Sequence, residues 1–282
     1  MSALDGFLAA REIWQAPLFA SLLAGALLGF LGVYVVLRRT VFVSAALTQV
    51  STVGLVVGLF IEEQFHIEAE HAHHQLGMAM GFAVVGALLL GALRPRRLPA
   101  EAGVGAAWVI ASAAVVLGIS RLVHASHDLG GMVFGNAVAV PDDELWMIGA
   151  VVLVCAGLHL AFAKEITFAS FDPETATALG LRVRLWDAVL SLTLGLAIPA
   201  SARALGALPV FALLTLPASA ALLLGLPLRA AFAVATALGV AAAAGGYLAS
   251  WFAETPTGAT MVLVAALALL PGALRQVRRR GA

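Results

Sequence analysis

Long apolar runs alternate with short polar clusters along the whole chain. A helix needs roughly 20 apolar residues to cross the hydrocarbon core of a bilayer, and these runs approach or reach that length. The polar breaks delimit predicted spans at residues 17–37, 41–61, 76–93, 102–120, 145–163, 186–201, 207–225, 230–252 and 258–274. The pattern therefore predicts an all-α fold, a polytopic membrane helical bundle of about eight or nine transmembrane helices forming one domain, residues 1–282.

The region of residues 186–225 fits this pattern least well. Pro199, Pro209 and Pro217 interrupt its apolar runs. Proline lacks the backbone N–H and clashes with the preceding turn, so we expect one element here to be broken or re-entrant.

Composition supports a membrane protein. The chain is 62% hydrophobic and only 11% charged, which leaves too little polar surface for a soluble domain of 282 residues. The formal net charge of zero provides no attraction for nucleic acid. Cys155 is the single cysteine and cannot form a disulfide within the chain.

The basic residues predict the orientation. With the N-terminus outside and the C-terminus in the cytoplasm, 13 of the 16 basic residues lie on the cytoplasmic side, as the positive-inside rule requires. Only Arg11, Arg121 and Arg203 then lie outside.

One external loop, residues 62–75, concentrates groups that bind metals. Imidazole and carboxylate together suit zinc, and manganese or iron where carboxylates dominate. The candidate ligands are His66, His71, His73, His74, Glu68 and Glu70, with Glu62 and Glu63 beside them. Their irregular spacing indicates a flexible capture or gating site, and the alternative is a solvated connector with incidental histidines.

The placement of two further histidines supports the metal hypothesis. His124, His127 and Asp128 lie in a second predicted outer loop, so six of the seven histidines face one side. His159 stands alone near a span end and is expected to be packed or to reach toward the interface.

Small and polar residues recur at helical spacing in several spans. Gly25/Gly29, Gly54/Gly58 and Gly77/Gly81 are each four residues apart, a spacing that lets helices approach closely and also occurs in ordinary packing. The second span has a polar face, which consists of Ser44, Thr48 and Ser51, with Gln49 and Thr52 adjacent. Such a face either lines a polar path or forms hydrogen bonds to neighbouring helices.

Sequence patterns of catalysis are absent. The chain has neither the zinc-protease motif H-E-x-x-H nor the nucleotide-binding motif G-x-x-x-x-G-K-[ST]. We therefore expect a protein that is not an enzyme and has no ATPase motif of its own.

The stretch "FDPETATALGLRV", residues 171–183, is too polar to lie in lipid and is punctuated like a short helix. Asp172 is a good N-cap, Pro173 suits the first helical position, and Gly180 suits a left-handed C-terminal cap. These signals predict a helix of about two turns. From the residues alone, this segment is expected to be an ordinary polar loop with no special function.

Several segments resemble the permease subunits of zinc/manganese-type ABC importers. The similarity extends over nearly the whole chain, and the Asp-Pro-Glu segment and the segment ending in Leu-Pro-Ala are fairly specific. The similar segments are "FLGVYVVLRRTVFVSAALTQVSTVG" (30–54), "FGNAVAVPDDEL" (134–145), "FDPETATALGLRVRLWD" (171–187), "LGALPVFALLTLPASAA" (205–221) and "ETPTGATMVLVAALAL" (254–269).

The resemblance implies a permease in the bacterial inner membrane that imports a divalent metal, with zinc expected first and manganese or iron next. The expected partners are a second copy of the chain, a cytoplasmic ABC ATPase, an extracytoplasmic metal-binding protein and the lipid bilayer, with metal as cargo and no permanent cofactor. The cytoplasmic segment 164–185 would couple to the ATPase, through Asp172, Pro173, Glu174, Leu179 and Gly180.

The chain departs from the family pattern where metal ligands are expected. Ala45 and Gln49 replace the Asp and His of the second helix, and Asn136 replaces an Asp, whereas Glu254 retains a carboxylate. The expected path residues are Ser44, Thr48, Gln49, Asn136 and Glu254. These departures leave two alternatives: a permease for another cargo such as a metal chelate, and a metal-sensing membrane protein that transports nothing.

Overall fold

The computed structural model describes residues 10–65, 72–92, 100–122 and 140–280. In these ranges every regular element is a helix, which confirms the all-α prediction. The helices are α1 (Arg11–Leu37), α2 (Val41–Phe65), α3 (Ala72–Ala92), α4 (Ala100–Ile119), α5 (Asp142–Ala161), α6 (Ala163–Phe171), α7 (Pro173–Ala178), α8 (Val183–Leu205), α9 (Ala207–Leu223), α10 (Leu228–Ala253), α11 (Thr257–Leu267) and α12 (Leu270–Arg280).

Eight helical stretches among the described residues are long and apolar enough to cross a membrane. They are α1 to α5, α8, α10 and the stretch Thr257–Arg275, which follow the order of the predicted spans. The remaining predicted span corresponds to α9, which is shorter and has most of its residues buried. The predicted number of transmembrane helices, eight or nine, is confirmed.

The break by proline predicted in residues 186–225 is not found, because α8 and α9 are each continuous and are separated at Gly206. Gly206 separates α8 from α9 and has a φ of 91°, a backbone conformation that residues with a Cβ rarely adopt. Pro199 and Pro217 lie inside continuous helices. Pro209 is the third residue of α9, where a backbone N–H would have no acceptor within the helix. Prolines are tolerated in membrane helices when neighbouring groups satisfy the freed carbonyls.

The chain forms two compact units, as far as its residues are described. Unit 1 comprises Met1–Val36, Gly130–Leu153 and Ser201–Ala282, and unit 2 comprises Leu37–Leu129 and Val154–Ala200.

Unit 1 is built around α9, which packs against α10, α11 and α12. An aromatic cluster joins α1 to α10: the ring centroids of Tyr34 and Phe232 are 4.7 Å apart, and those of Phe30 and Phe232 are 5.2 Å apart. Tyr34 is almost completely buried. Such ring pairs add to the stability that burial alone provides.

Unit 2 is built around α2, which packs against α3 and α4. Small residues permit the close approach to α3, since a Cβ on Gly54 would lie 2.6 Å from the carbonyl oxygen of Met78. On the other side, Val56 packs in an apolar cluster with Val115, Ile119 and Leu122. The helix that carries the predicted polar path is therefore held firmly within its unit.

Candidate functional site: the coupling segment and the cargo path

The short helix predicted around the Asp-Pro-Glu sequence is present as α7, directly after α6. Asp172 is its N-cap, and the carboxylate oxygen Oδ1 accepts the backbone N–H of Thr175 at 3.0 Å. Pro173 occupies the first helical position, where a missing N–H removes no helical hydrogen bond. Local sequence signals thus determine where this helix begins.

The other end of α7 closes in a Schellman motif. The Leu181 N–H donates to the Ala176 carbonyl at 2.9 Å, and the Gly180 N–H donates to the Thr177 carbonyl at 3.0 Å. Gly180 has a φ of 84°, in the left-handed region. No atom lies within 4 Å of the place where its Cβ would be, so the backbone conformation alone favours glycine here.

The surface of α7 is available to a partner. Ala176 is fully buried and anchors one face, whereas Glu174 and Thr177 are exposed. Phe171 and Leu179 flank the helix and are 70% and 73% exposed. A rigidly capped helix with apolar side chains at both ends can be covered by another protein.

Asp172 carries its charge at neutral pH. Hydrogen bonds from the Thr175 side chain and backbone hold the pKa of Asp172 below its ordinary value. The negative charge at the N-terminus of α7 also interacts favourably with the helix dipole.

The sequence analysis did not predict two ion pairs that the structure contains. Arg38 Nη1 donates to Asp187 Oδ1 at 2.5 Å in unit 2, and Arg203 Nε donates to Glu144 Oε1 in unit 1. In each pair the residues are far apart in the chain, so no local pattern joins them. The available signal was the presence of charges at the ends of apolar runs, where ionisable residues are expected to be paired.

The polar face predicted in the second span is buried in α2. Ser44, Thr48, Ser51 and Thr52 are all less than 9% exposed. Thr48 Oγ1 donates to the Ser44 carbonyl at 2.8 Å, and Thr52 Oγ1 donates to the Thr48 carbonyl at 2.9 Å. The hydroxyl groups of Thr48 and Thr52 thus donate to carbonyls of their own helix. Their oxygen lone pairs can still accept hydrogen bonds or contact a cation. Gln49 is half-buried on the same helix.

Glu254 lies at the end of α10, and Asn136 lies outside the described residues. Glu254 is the C-cap residue with a φ of 52°, and its backbone N–H donates to the Ser250 carbonyl. Its side chain is exposed. The structure places this carboxylate at a helix end and not in the interior of the bundle.

The predicted His/Glu loop is shorter than the sequence indicated. α2 continues through Glu62 and Glu63 to Phe65, and α3 already begins at Ala72, so His73 and His74 belong to its first turn. Mostly polar residues therefore extend both helices beyond the predicted spans, because helical backbone hydrogen bonds do not require apolar side chains at the helix ends. The candidates His66, Glu68, Glu70 and His71 lie outside the described residues, as do His124, His127 and Asp128.

The described part of this region centres on Glu62. Its Oε2 accepts a hydrogen bond from Gln75 Nε2 at 2.5 Å, and its Oε1 is 3.8 Å from Nδ1 of His74. Oε1 is buried and has no hydrogen-bond partner among the described atoms. No group of three His, Cys, Asp or Glu side chains suited to a metal occurs within the described ranges.

His159 is packed, as predicted. It is fully buried in α5, and its Nδ1 is 2.9 Å from the Cys155 carbonyl oxygen. Cys155 is buried as well.

The arrangement of helices and the sequence match known proteins along most of the chain. A model of the ABC 3 transport family matches residues 10–276. This chain belongs to the ABC 3 transport family. The match includes α2, the capped α7 and Glu254.

Relatives of this ABC 3 family chain are named for manganese. The manganese transport system membrane protein MntC of Listeria monocytogenes is 29% identical over 255 residues, 90% of this chain and 87% of that protein. The structure of PsaBC from Streptococcus pneumoniae in complex with Fab has a TM-score of 0.81 at 21% identity, over 95% of both chains. An inward-facing structure described as a metal-chelate type ABC transporter has a TM-score of 0.75 at 17% identity, over 95% of this chain and 88% of that one. At these identities the two structures establish the shared fold alone.

Proposed function

We propose that this chain is the membrane-spanning permease subunit of an ABC importer for a divalent transition metal. The observation that carries the proposal is the capped helix α7, in a chain of the ABC 3 transport family. Importers of this kind need a short, rigid cytoplasmic element that an ATPase can move, and α7 meets that need with both ends fixed by local hydrogen bonds. The chain supplies the path, and a separate ATPase supplies the energy.

The partners follow from that division of labour. Two copies of the chain associate in the bacterial plasma membrane with two ATPase subunits on the cytoplasmic side, where 13 of the 16 basic residues would lie. An extracytoplasmic binding protein delivers the cargo at the opposite side. Closure of the ATPase then moves the bundle between outward and inward access.

Manganese is the first cargo to test, ahead of zinc. The relative from Listeria monocytogenes is named as a manganese transport protein. Among the described candidate path residues, those on α2 offer a hydroxyl and an amide oxygen, at Thr48 and Gln49, and no thiolate. Oxygen ligands suit manganese better than zinc, which prefers nitrogen and sulfur.

A metal chelate is a second candidate cargo, because of the chemistry of α2. Ala45 and Gln49 stand where the resemblance leads one to expect a carboxylate and an imidazole, and the neighbouring hydroxyls are bonded to their own backbone. A chelate carries its own ligands and needs fewer from the path.

Reconstitution with the ATPase subunit and the binding protein tests the proposal. Liposomes containing the complex should accumulate manganese when ATP is supplied to the cytoplasmic face, and should do so less well with zinc. Uptake of a chelate without uptake of either free ion would favour the second candidate. A complex that binds metal and moves neither form would instead support a sensing role and contradict the proposal.

A further inference from the structure

Arg38 contacts both helices that flank α7. Its Nε donates to the Ser170 hydroxyl at 2.9 Å, and its Nη1 donates to Asp187 Oδ1 at 2.5 Å. Ser170 lies in the last turn of α6, two residues before the N-cap of α7. Asp187 lies near the start of α8, which follows α7. One guanidinium thus closes the chain segment that contains α7.

The Arg38 side chain of this bridge is largely shielded from water, and that of Asp187 is partly exposed. The Arg38 side chain is 14% exposed and that of Asp187 is 40% exposed, so water screens the pair only in part. Arginine suits the position because its planar fork serves two acceptors in different directions, which an ammonium group does less well. Ser170 is itself held, since its hydroxyl donates to the Ile166 carbonyl at 2.6 Å.

Arg38 also stands at the entrance to α2. It is three residues before Val41, where α2 begins, in a tight turn that includes Arg39 with a φ of 57°. The Thr40 carbonyl accepts the Val43 N–H at 2.9 Å and so belongs to the first turn of the helix. Within unit 2, a displacement of Ser170 or Asp187 therefore reaches the start of the helix that carries Ser44 and Thr48.

Space beside Asp187 allows the bridge to open. A cavity of about 640 Å³ lies between α3 and the start of α8, lined by Ala87, Leu88, Gly91, Arg184, Asp187, Ala188 and Ser191. Asp187 borders this space directly, and Arg184 in the same lining is a second cation near it. α6 and α8 remain connected if the bridge opens, because the rings of Phe162 and Trp186 are 5.2 Å apart.

We infer that Arg38 is a positioning residue that couples movement of α7 to α2, through its bonds to Ser170 and Asp187. This inference rests on the proposed function, because it takes α7 as the element that the ATPase moves. Arg38 acts through other groups and does not contact cargo.

The test compares Arg38→Ala with Arg39→Asn in the full complex with its ATPase. Both changes remove one positive charge from the same turn, and asparagine tolerates the left-handed conformation of residue 39. Arg38→Ala should assemble and hydrolyse ATP, while the metal imported per ATP should fall by roughly fivefold or more, the lower range for coupled sites. Arg39→Asn should keep the wild-type ratio.

Two further variants separate coupling from folding. The charge exchange Arg38→Asp with Asp187→Arg should regain part of the lost import ratio, because the pair can form again in reverse. Arg38→Lys should give an intermediate ratio, since it retains the charge but cannot serve both acceptors equally. A wild-type ratio in Arg38→Ala, or loss of complex assembly in both Arg38→Ala and Arg38→Lys, would overturn the inference.

A readout without cargo keeps this inference distinct from the proposed function. In a Cys155→Ser background, Ala45→Cys reports the accessibility of α2 to a thiol reagent, and nucleotide binding by the ATPase should change its labelling rate. Adding Arg38→Ala should abolish that change. If the wild-type complex moves no metal while this result holds, the cargo proposal fails and the coupling role of Arg38 stands; a nucleotide response that persists in Arg38→Ala contradicts the coupling role.

Discussion

Gly25 of α1 and Gly239 of α10 face each other with no room for a side chain on Gly25. A Cβ added there would lie 2.6 Å from the carbonyl oxygen of Gly239, and one added to Gly29 would lie 2.5 Å from that of Ala235. Backbone atoms cannot move aside as a flexible side chain can. α1 and α10 can approach this closely only because Gly25 and Gly29 lack a side chain.

Gly25→Ala should therefore destabilise the protein by about 1–3 kcal/mol, the usual cost of overpacking. Gly81→Ala is the matched control, because Gly77 and Gly81 have the same spacing but no atom within 4 Å of either added Cβ. It should be neutral or stabilising by up to about 1 kcal/mol, since alanine favours the helix. Thermal unfolding midpoints in detergent measure both, and equal midpoints for the two variants would contradict the prediction.

The capped ends of α7 should be needed for binding the ATPase. Asp172→Ala with Gly180→Val removes the N-cap and puts a β-branched residue at a φ of 84°, so the ATPase should co-purify less well while membrane insertion stays intact. Asp172→Asn with Gly180→Asn is the control, because asparagine caps helices and tolerates the left-handed region. Unchanged ATPase recovery from the first double variant would remove the coupling role from α7.

Mild acid should leave the docking helix intact. The pKa of Asp172 is lowered in the folded protein, so the stability that its charge contributes is fully present above the ordinary aspartate value of about 3.9. That contribution is lost only as the pH falls further, through the lowered folded value. ATPase binding should thus be constant between about pH 5 and pH 8 as far as Asp172 is concerned, and a decline in that range absent from Asp172→Asn would contradict this.

The outer histidines should matter when metal is scarce. Changing His71, His73 and His74 to alanine should slow uptake at limiting metal and have little effect when metal is plentiful, because a capture site matters least at saturation. Imidazole binds metal only in its neutral form, so the advantage of the wild type at limiting metal should shrink as the medium is acidified. Gln64→Ala, an exposed change at the end of α2, is the control. Equal uptake by the variant and the wild type at limiting metal would identify the region as a solvated connector.

The orientation can be tested with two single cysteines. In a Cys155→Ser background, Gln64→Cys and Thr177→Cys both replace exposed residues, at the end of α2 and on α7. An impermeant thiol reagent added to intact cells should label the first and spare the second, as the distribution of basic residues predicts. Labelling of both residues from the same side would overturn that orientation.

The sequence by itself determined the features that depend on neighbouring residues. Hydropathy over some 20 residues is enough to locate the spans, and the Asp-Pro start and the Gly180 end of α7 follow from hydrogen bonds and backbone preferences within one turn. The boundaries of the His/Glu loop were wrong by several residues, because helix ends also depend on what packs around them. The prediction that proline breaks an element in residues 186–225 was wrong, because Pro199 and Pro217 lie inside continuous helices.

Only the tertiary structure decided which of several equivalent patterns has a consequence. The pairs Gly25/Gly29 and Gly77/Gly81 have the same spacing in sequence. The first pair packs against the backbone of α10, whereas no atom lies within 4 Å of a Cβ added to either glycine of the second pair. Arg38 and Arg39 are adjacent and equally charged, yet Arg38 reaches Asp187, 149 residues away, and Arg39 is exposed. The reason is physical: a contact between distant residues depends on how helices cross, and crossing is decided by the packing of whole surfaces rather than by any local run of residues.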